Sequence, residues 1–336
     1  MRTFAAILLL LAAAACGGNA ARRADGNADG GSTAPGAAQT EGAAQTEGAA
    51  QTEGGAGDAG SAADRRAGEL PLAEPPATLR TPAERAAWLV GHFWDAMDFR
   101  DTLRSRDRDF MEQRFADFIS LFPYADTTAL RPALGRLVAA AAADREALLL
   151  LGEIAEKYLY DPNSPMLDEG YFILFLESEL RAGVLDEAER IRPAYLLEAA
   201  RKNRPGMRAA DFVYLTRDGR RQTLYGTPGE QTLLLFYDPD CDHCREIMQA
   251  LAASERLRRA IASGRLTVVA LYADGDRAAW DRTKEKLPAE WIVGFDTGAI
   301  REHELYVLPA MPTLYLLDRD KRVEAKDLPV GAIVGN

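Results

Sequence analysis

The stretch "TLLLFYDPDCDHCREI", Thr232 to Ile247, decides the fold of the second half of the chain. Its opening apolar run suits a central strand buried on both faces. Two cysteines come next, Cys241 and Cys244, with two residues between them and His243 directly before the second. From Arg245 to Ala262 the apolar residues Ile247, Leu251, Leu257 and Ile261 recur at helical spacing. "LTVVALYA", Leu266 to Ala273, reads as another buried strand. Strand, helix, strand is a βαβ unit, and the cysteines sit at its first junction. A pair placed there can transfer electrons, bind a metal or staple a turn.

Working outward, "KNRPGMRAADF", Lys202 to Phe212, ends a helical pattern with Pro205-Gly206 and opens a new domain. Phe212 to Leu215 and Gln222 to Tyr225 flank Asp218-Gly219, a dipeptide that favours a tight hairpin. Downstream, the pattern predicts a helix over 277–287, a short strand over 291–295 and a helix over 299–306. "AMPTLYLLDRDKRVEAK" then gives a Pro-led strand, a turn at Asp318 to Lys321 and a closing strand. Ten residues follow Lys326, too few for a long closing helix, so we expect the N-terminal domain to cover one sheet face.

Upstream, Thr81 can cap a helix with Pro82 at its first position and Glu84 completing a capping box, before Trp88, Leu89, Phe93 and Met97. Helical periods continue through Phe110, Phe115, Phe118 and Phe122, then Leu130, Leu134 and Val138, then Leu148, Leu151, Ile154 and Tyr158. Two further helices are predicted over 167–182 and 187–202, the second capped by Asp186 with Glu189. The fold expected is an all-α domain over 80–204, succeeded over 205–336 by an α/β domain whose central mixed sheet is flanked by helices.

Residues 17–79 are dominated by small and acidic residues and repeat "AAQTEG" three times between Ala37 and Gly54. With almost no large apolar side chains, they are expected to form a disordered spacer. Residues 1–16 begin Met1-Arg2-Thr3, run apolar from Phe4 to Ala15 and end at Cys16. The run is far short of the roughly 20 residues that span a bilayer and reads as a secretory signal. Its end, small residues then Cys16-Gly17-Gly18, resembles a bacterial lipobox whose cysteine becomes lipid-modified, although Ala13 stands where leucine is usual. The alternative is an ordinary signal peptide cleaved near Ala15. The net charge of −11 gives no footprint for nucleic acid, which requires clustered Lys and Arg.

At a helix tip, the sulfur of Cys241 lies beside unpaired backbone N–H groups and the positive end of the dipole, which favour thiolate. One turn on, Cys244 is close enough to close a Cys241–Cys244 disulfide and to resolve a mixed one. His243, when charged, favours the thiolate too and moves the pair toward an oxidising potential. No metal is expected, because zinc wants four ligands and the remaining histidines, His92 and His303, are not at ligand spacing.

The order strand, Cys-x-x-Cys, helix, strand, and later Met311-Pro312-Thr313 leading into a strand, resembles the thioredoxin fold. It is most similar to the TlpA/ResA-like group of membrane-tethered thiol-disulfide oxidoreductases. That resemblance implies that Pro312 is cis and lies against the disulfide, and that Met311 and Pro312 meet the substrate; Asp240, before the first cysteine, is a further candidate for substrate contact. The Cys-x-His-Cys spelling also resembles the DsbA family of disulfide oxidases. "AEKYLYDPNSPM", 155–166, and "KNRPG" resemble a domain of unknown function that precedes thioredoxin-like domains in some bacterial lipoproteins. Two departures stand out: Asp240 replaces the usual tryptophan before the first cysteine, and Leu235 occupies the position of the family's buried acid. Asp238, Asp240 or His243 are left as candidates for its proton-handling role.

The function expected is thiol-disulfide exchange with protein substrates, needing no cofactor beyond the cysteine pair. An upstream redox partner and a lipid anchor would complete the system, in a bacterial cell envelope and facing the periplasm. The sequence leaves the direction open. The rival reading is a non-enzymatic lipoprotein that binds a partner through its helical domain and uses the thioredoxin-like domain as a scaffold.

Overall fold

The computed structural model describes residues 70–334. Cys16, the signal segment and most of the spacer lie outside them. The chain divides into two compact units. One runs up to Asp98 and resumes over Asp107–Ala133; the other holds Phe99–Arg106 and everything from Leu134 onward.

In the first unit, helix α1, Pro82–His92, begins with the capping box read from the sequence. The Thr81 hydroxyl accepts from the Glu84 N–H at 3.2 Å, and the Glu84 carboxylate accepts from the Thr81 N–H at 3.0 Å. The short helix α2, Thr102–Ser105, belongs to the second unit, and α3, Arg108–Ile119, to the first. The first unit's core is aromatic: the rings of Phe93 and Phe118 lie 5.2 Å apart and those of Phe118 and Phe122 4.9 Å.

Helix α4, Thr127–Ala141, spans the division. Then come α5, Arg145–Leu159, α6, Glu169–Arg181, and α7, Glu187–Arg201, each started by an aspartate whose side chain takes a backbone N–H: Asp144, Asp168 and Asp186. This satisfies donors that a helix start otherwise leaves orphaned.

The helices give way to a seven-stranded mixed sheet in the order β2-β1-β5-β4-β3-β6-β7. Its strands are β1, Val213–Thr216, β2, Arg221–Thr223, β3, Gln231–Phe236, β4, Leu266–Tyr272, β5, Ile292–Asp296, β6, Thr313–Leu317, and β7, Val323–Lys326. Strands β3, β4 and β5 are mutually parallel, and β6 returns antiparallel to β3 with Thr313 opposite Phe236. Alternation along β3 divides the core. Leu233 and Leu235 pack on one face with Cys244, Met248 and Trp280. Leu234 and Phe236 pack on the other with Phe212, Tyr306 and Tyr315.

Three sequence expectations change. The helix expected from Arg245 to Ala262 is two, α8, Asp242–Ala253, and α9, Glu255–Ala262. Ser254 breaks it in extended geometry, its hydroxyl accepting from Leu257 N–H at 3.3 Å to cap α9. After the helix α10, Arg277–Thr283, and the four-residue α11, Ala299–Glu302, the described residues close with a short helix, α12, Val330–Val334. Its Val330, Ile333 and Val334 pack into the cluster of Cys244, so that even a brief tail covers part of the sheet. The helix expected over 299–306 stops at Glu302. The apolar layer of the opposite sheet face includes Ala209, Phe212, Leu224, Ile300 and Tyr306.

Within the second unit the helices join the sheet through polar contacts. Asn203, buried and left-handed at φ 49°, donates from its side chain to Leu305 O at 2.8 Å and accepts from Ala210 N–H at 2.8 Å. The Lys326 ammonium on β7 pairs with Glu169 at the start of α6.

Candidate functional site

Cys241 is the residue that caps α8. Its extended backbone, φ −85° and ψ 118°, turns the chain out of β3, and its sulfur accepts the Cys244 N–H at 3.2 Å. That is the hydrogen bond a sulfur anion at this position would keep. The turn is held by Asp238, whose carbonyl accepts from Cys241 N–H at 3.2 Å and whose carboxylate accepts from Asp240 N–H at 2.9 Å. Cys241 is partly exposed and Cys244 fully buried.

Burial is the main cause that pushes the Cys244 thiol up to about 12; the neighbouring Cys241 adds to it, while the Asp238 backbone N–H works the other way. The outer sulfur is therefore accessible and the inner one held as a neutral thiol.

Opposite the sulfur lies the loop before β6. The Met311–Pro312 bond is cis, and the Cys241 thiol points at the Met311 carbonyl at 3.9 Å. Cys241, Met311 and Pro312, 70 residues apart in sequence, thus share one small surface. Asp240 is exposed beside it. His243 is also exposed, with Nδ1 3.9 Å from the Glu246 carboxylate one turn along α8. Leu235 is buried in the same apolar cluster as Cys244, so hydrocarbon occupies the position of the acid. Among the described residues no group of three or more His, Cys, Asp or Glu could hold a metal ion.

A groove of about 370 Å³ opens at this surface. Its walls include His243 and Ile247 of α8, Met311 and Pro312, and on the far side Tyr160, Asn163 and Glu169 with Lys326 and Asp327. Burial raises the carboxyls of both Glu169 and Asp327, an effect that the Lys326 ammonium opposes at each. Sequence reasoning does not find these residues. Glu169 and Lys326 are 157 positions apart, and the one local signal is that the segment containing Tyr160 resembles a domain with no assigned activity.

Known proteins resemble this chain in both halves. The family model described as a domain of unknown function, DUF5106, matches residues 37–203. A thioredoxin-like protein from Bacteroides caccae, solved by crystallography, is 33% identical with a TM-score of 0.75; the match covers 79% of this chain and 96% of that one. The C-terminal domain of an uncharacterized protein from Bacteroides fragilis is 36% identical over 39% of this chain and 95% of its own, with a TM-score of 0.39. A domain of a possible thiol-disulfide isomerase from Cytophaga hutchinsonii is 23% identical over 40% of this chain and 90% of its own, with a TM-score of 0.35. No curated protein matches the chain.

Proposed function

We propose that this chain, which belongs to the thioredoxin-like family, exchanges disulfides with protein substrates through Cys241 and Cys244. The observation that carries the reading is the placement of Cys241: a partly exposed sulfur that caps α8, 3.9 Å from the carbonyl of Met311, with Cys244 buried one turn behind. In the reducing direction the Cys241 thiolate attacks one sulfur of a substrate disulfide, forming a mixed disulfide and releasing the other as a thiolate that takes up a proton. Cys244 then gives up its proton and attacks Cys241. The second substrate thiol leaves, the chain keeps the Cys241–Cys244 disulfide, and two electrons and two protons have passed to the substrate. The oxidising direction is the same sequence reversed.

The high pKa of Cys244 has a consequence for the second step. A neutral, buried thiol attacks only as its proton departs, and the Asp238 carboxylate at the same turn is the candidate to receive it. With Cys16 as lipid attachment point, the protein would be held in the cell envelope facing the periplasm, and a separate redox partner would restore its cysteines.

The test is exchange with 2-hydroxyethyl disulfide by the full chain. Cys241→Ser should abolish it, and undiminished exchange by that variant would refute the assignment. The reduction potential then gives the direction: about −120 mV marks an oxidant and about −270 mV a reductant. For the anchor, mass spectrometry of protein extracted from bacterial membranes should find a lipid on Cys16, and an unmodified Cys16 would remove that part of the reading.

A further inference from the structure

Three concavities adjoin Pro309 and Ala310, the residues just before Met311 and the cis proline. Beside the groove of about 370 Å³ lie others of about 560 Å³ and 740 Å³. Each is in the range of roughly 300–1,000 Å³ that takes a drug-sized molecule, and side by side they suit several residues of chain rather than one small thiol. The helices supply much of the walling. Tyr160 and Asn163 line the first and third concavities. Tyr195 of α7 lines the second and is 53% exposed, with Ile191 one turn before it 68% exposed.

The groove nearest Cys241 is apolar along Ile247, Met311 and Val330 and acquires charge at its far end. Of the cations along the three walls, Lys326 pairs with Glu169 in this groove, Arg301 with Asp274 in the second concavity and Arg192 with Glu156 at 2.6 Å in the third, where the Lys157 ammonium lies over the Tyr158 ring. Asp327 in this groove, 4.0 Å from the already paired Lys326, and Asp161 in the third concavity, whose carboxylate takes the Asn163 N–H at 2.8 Å, add acidic groups to the walls. Beneath, the fully buried Tyr315 keeps a hydroxyl with no hydrogen-bond partner and a ring 5.9 Å from the Lys326 ammonium. A segment bringing apolar and cationic side chains would find complementary surface at both ends.

We propose that the helical region is the substrate-reading wall of this enzyme: an extended polypeptide lies between the Met311–Pro312 loop and the Tyr160–Glu169 segment, chosen for an apolar and a basic residue beside its cysteine. The proposal rests on the disulfide-exchange reading and gives the helical region a role in substrate choice.

Two disulfide-linked homodimeric peptides test it, alike except that leucine and lysine, or leucine and glutamate, flank the cysteine. The full-length wild type, reduced beforehand and freed of reductant, should react once with the lysine peptide with a single-turnover second-order rate constant roughly five- to tenfold above that for the glutamate peptide, as expected from one or two partly exposed charge pairs. Asp327→Asn should narrow the ratio to about two- or threefold, Asp161→Asn should narrow it less, and 0.5 M salt should narrow it in the wild type with no substitution at all. Equal rates for the two peptides, preference for the glutamate peptide, or a ratio untouched by salt and by Asp327→Asn would each overturn the proposal. Exchange with 2-hydroxyethyl disulfide is run alongside. If the wild type fails there, it is the exchange reading that falls; if it succeeds while the peptides are not discriminated, only the reading wall does.

Discussion

The central strands and the helices α5–α7 bury their interiors in opposite ways. Leu233–Phe236 and Val268–Leu271 are apolar at every position and packed on both faces, with no side-chain charge to satisfy. The helices carry carboxyls inward. Glu169 sits beside Lys326, and Glu179, only 4% exposed, lies against Gly152, where an added Cβ would stand 2.6 Å from its oxygen. Burial pushes Glu179 up to about 7, with Glu156 adding to it. These two central runs bring no titrating side chain beneath the cysteines. The helical wall depends on which carboxyls are charged.

The contrast can be broken by substitution, beginning where the effect should be largest. Phe236→Ala removes a fully buried ring packed against Phe212, Tyr306 and Tyr315, and should cost about 3–5 kcal/mol in denaturant unfolding at any pH where the protein is folded. Lys326→Met leaves Glu169 and Asp327 without their cation. Loss of about 3 kcal/mol is expected at pH 8 and clearly less at pH 5, because protonated carboxyls need no ammonium. Equal losses at both pH values would mean that Lys326 matters for packing alone.

Glu179→Gln should act in the opposite sense. A carboxyl whose pKa rises on folding contributes stability in full below its ordinary value near 4.5, and this is lost as pH climbs through about 7. The variant should therefore gain on the wild type by about 1–3 kcal/mol at pH 8 and show little difference at pH 4.5. Thr81→Ala, in the first unit, removes only a cap and should cost about 1 kcal/mol with no pH dependence over this range.

The same contrast explains what could be read in advance. The strand run at Leu233–Phe236, the cysteine turn and Leu266–Tyr272 carry their signals locally, through continuous apolarity and helical spacing. The caps at Thr81 and Asp186 are equally legible, since both partners lie within four residues. The helix Val330–Val334 is not, because it is held by packing against α8 and α9 rather than by its own length. The break at Ser254 hides inside a pattern whose apolar spacing runs on across it. The groove is least legible of all. Tyr160, Glu169, Met311 and Lys326 meet only through the tertiary fold, and nothing in any of their local sequences marks the others.

In the proposed exchange Cys241 attacks and Cys244 resolves. The most direct measurement is the intact mass of full-length Cys244→Ser after incubation with 2-hydroxyethyl disulfide, with peptide mapping to locate the label. A mercaptoethanol adduct mapped to Cys241, stable because the sulfur of Cys244 is no longer there to displace it, is the expected result. No adduct on Cys241 in a folded variant, while Cys241→Ser accumulates one on Cys244, would reverse the roles and contradict the account.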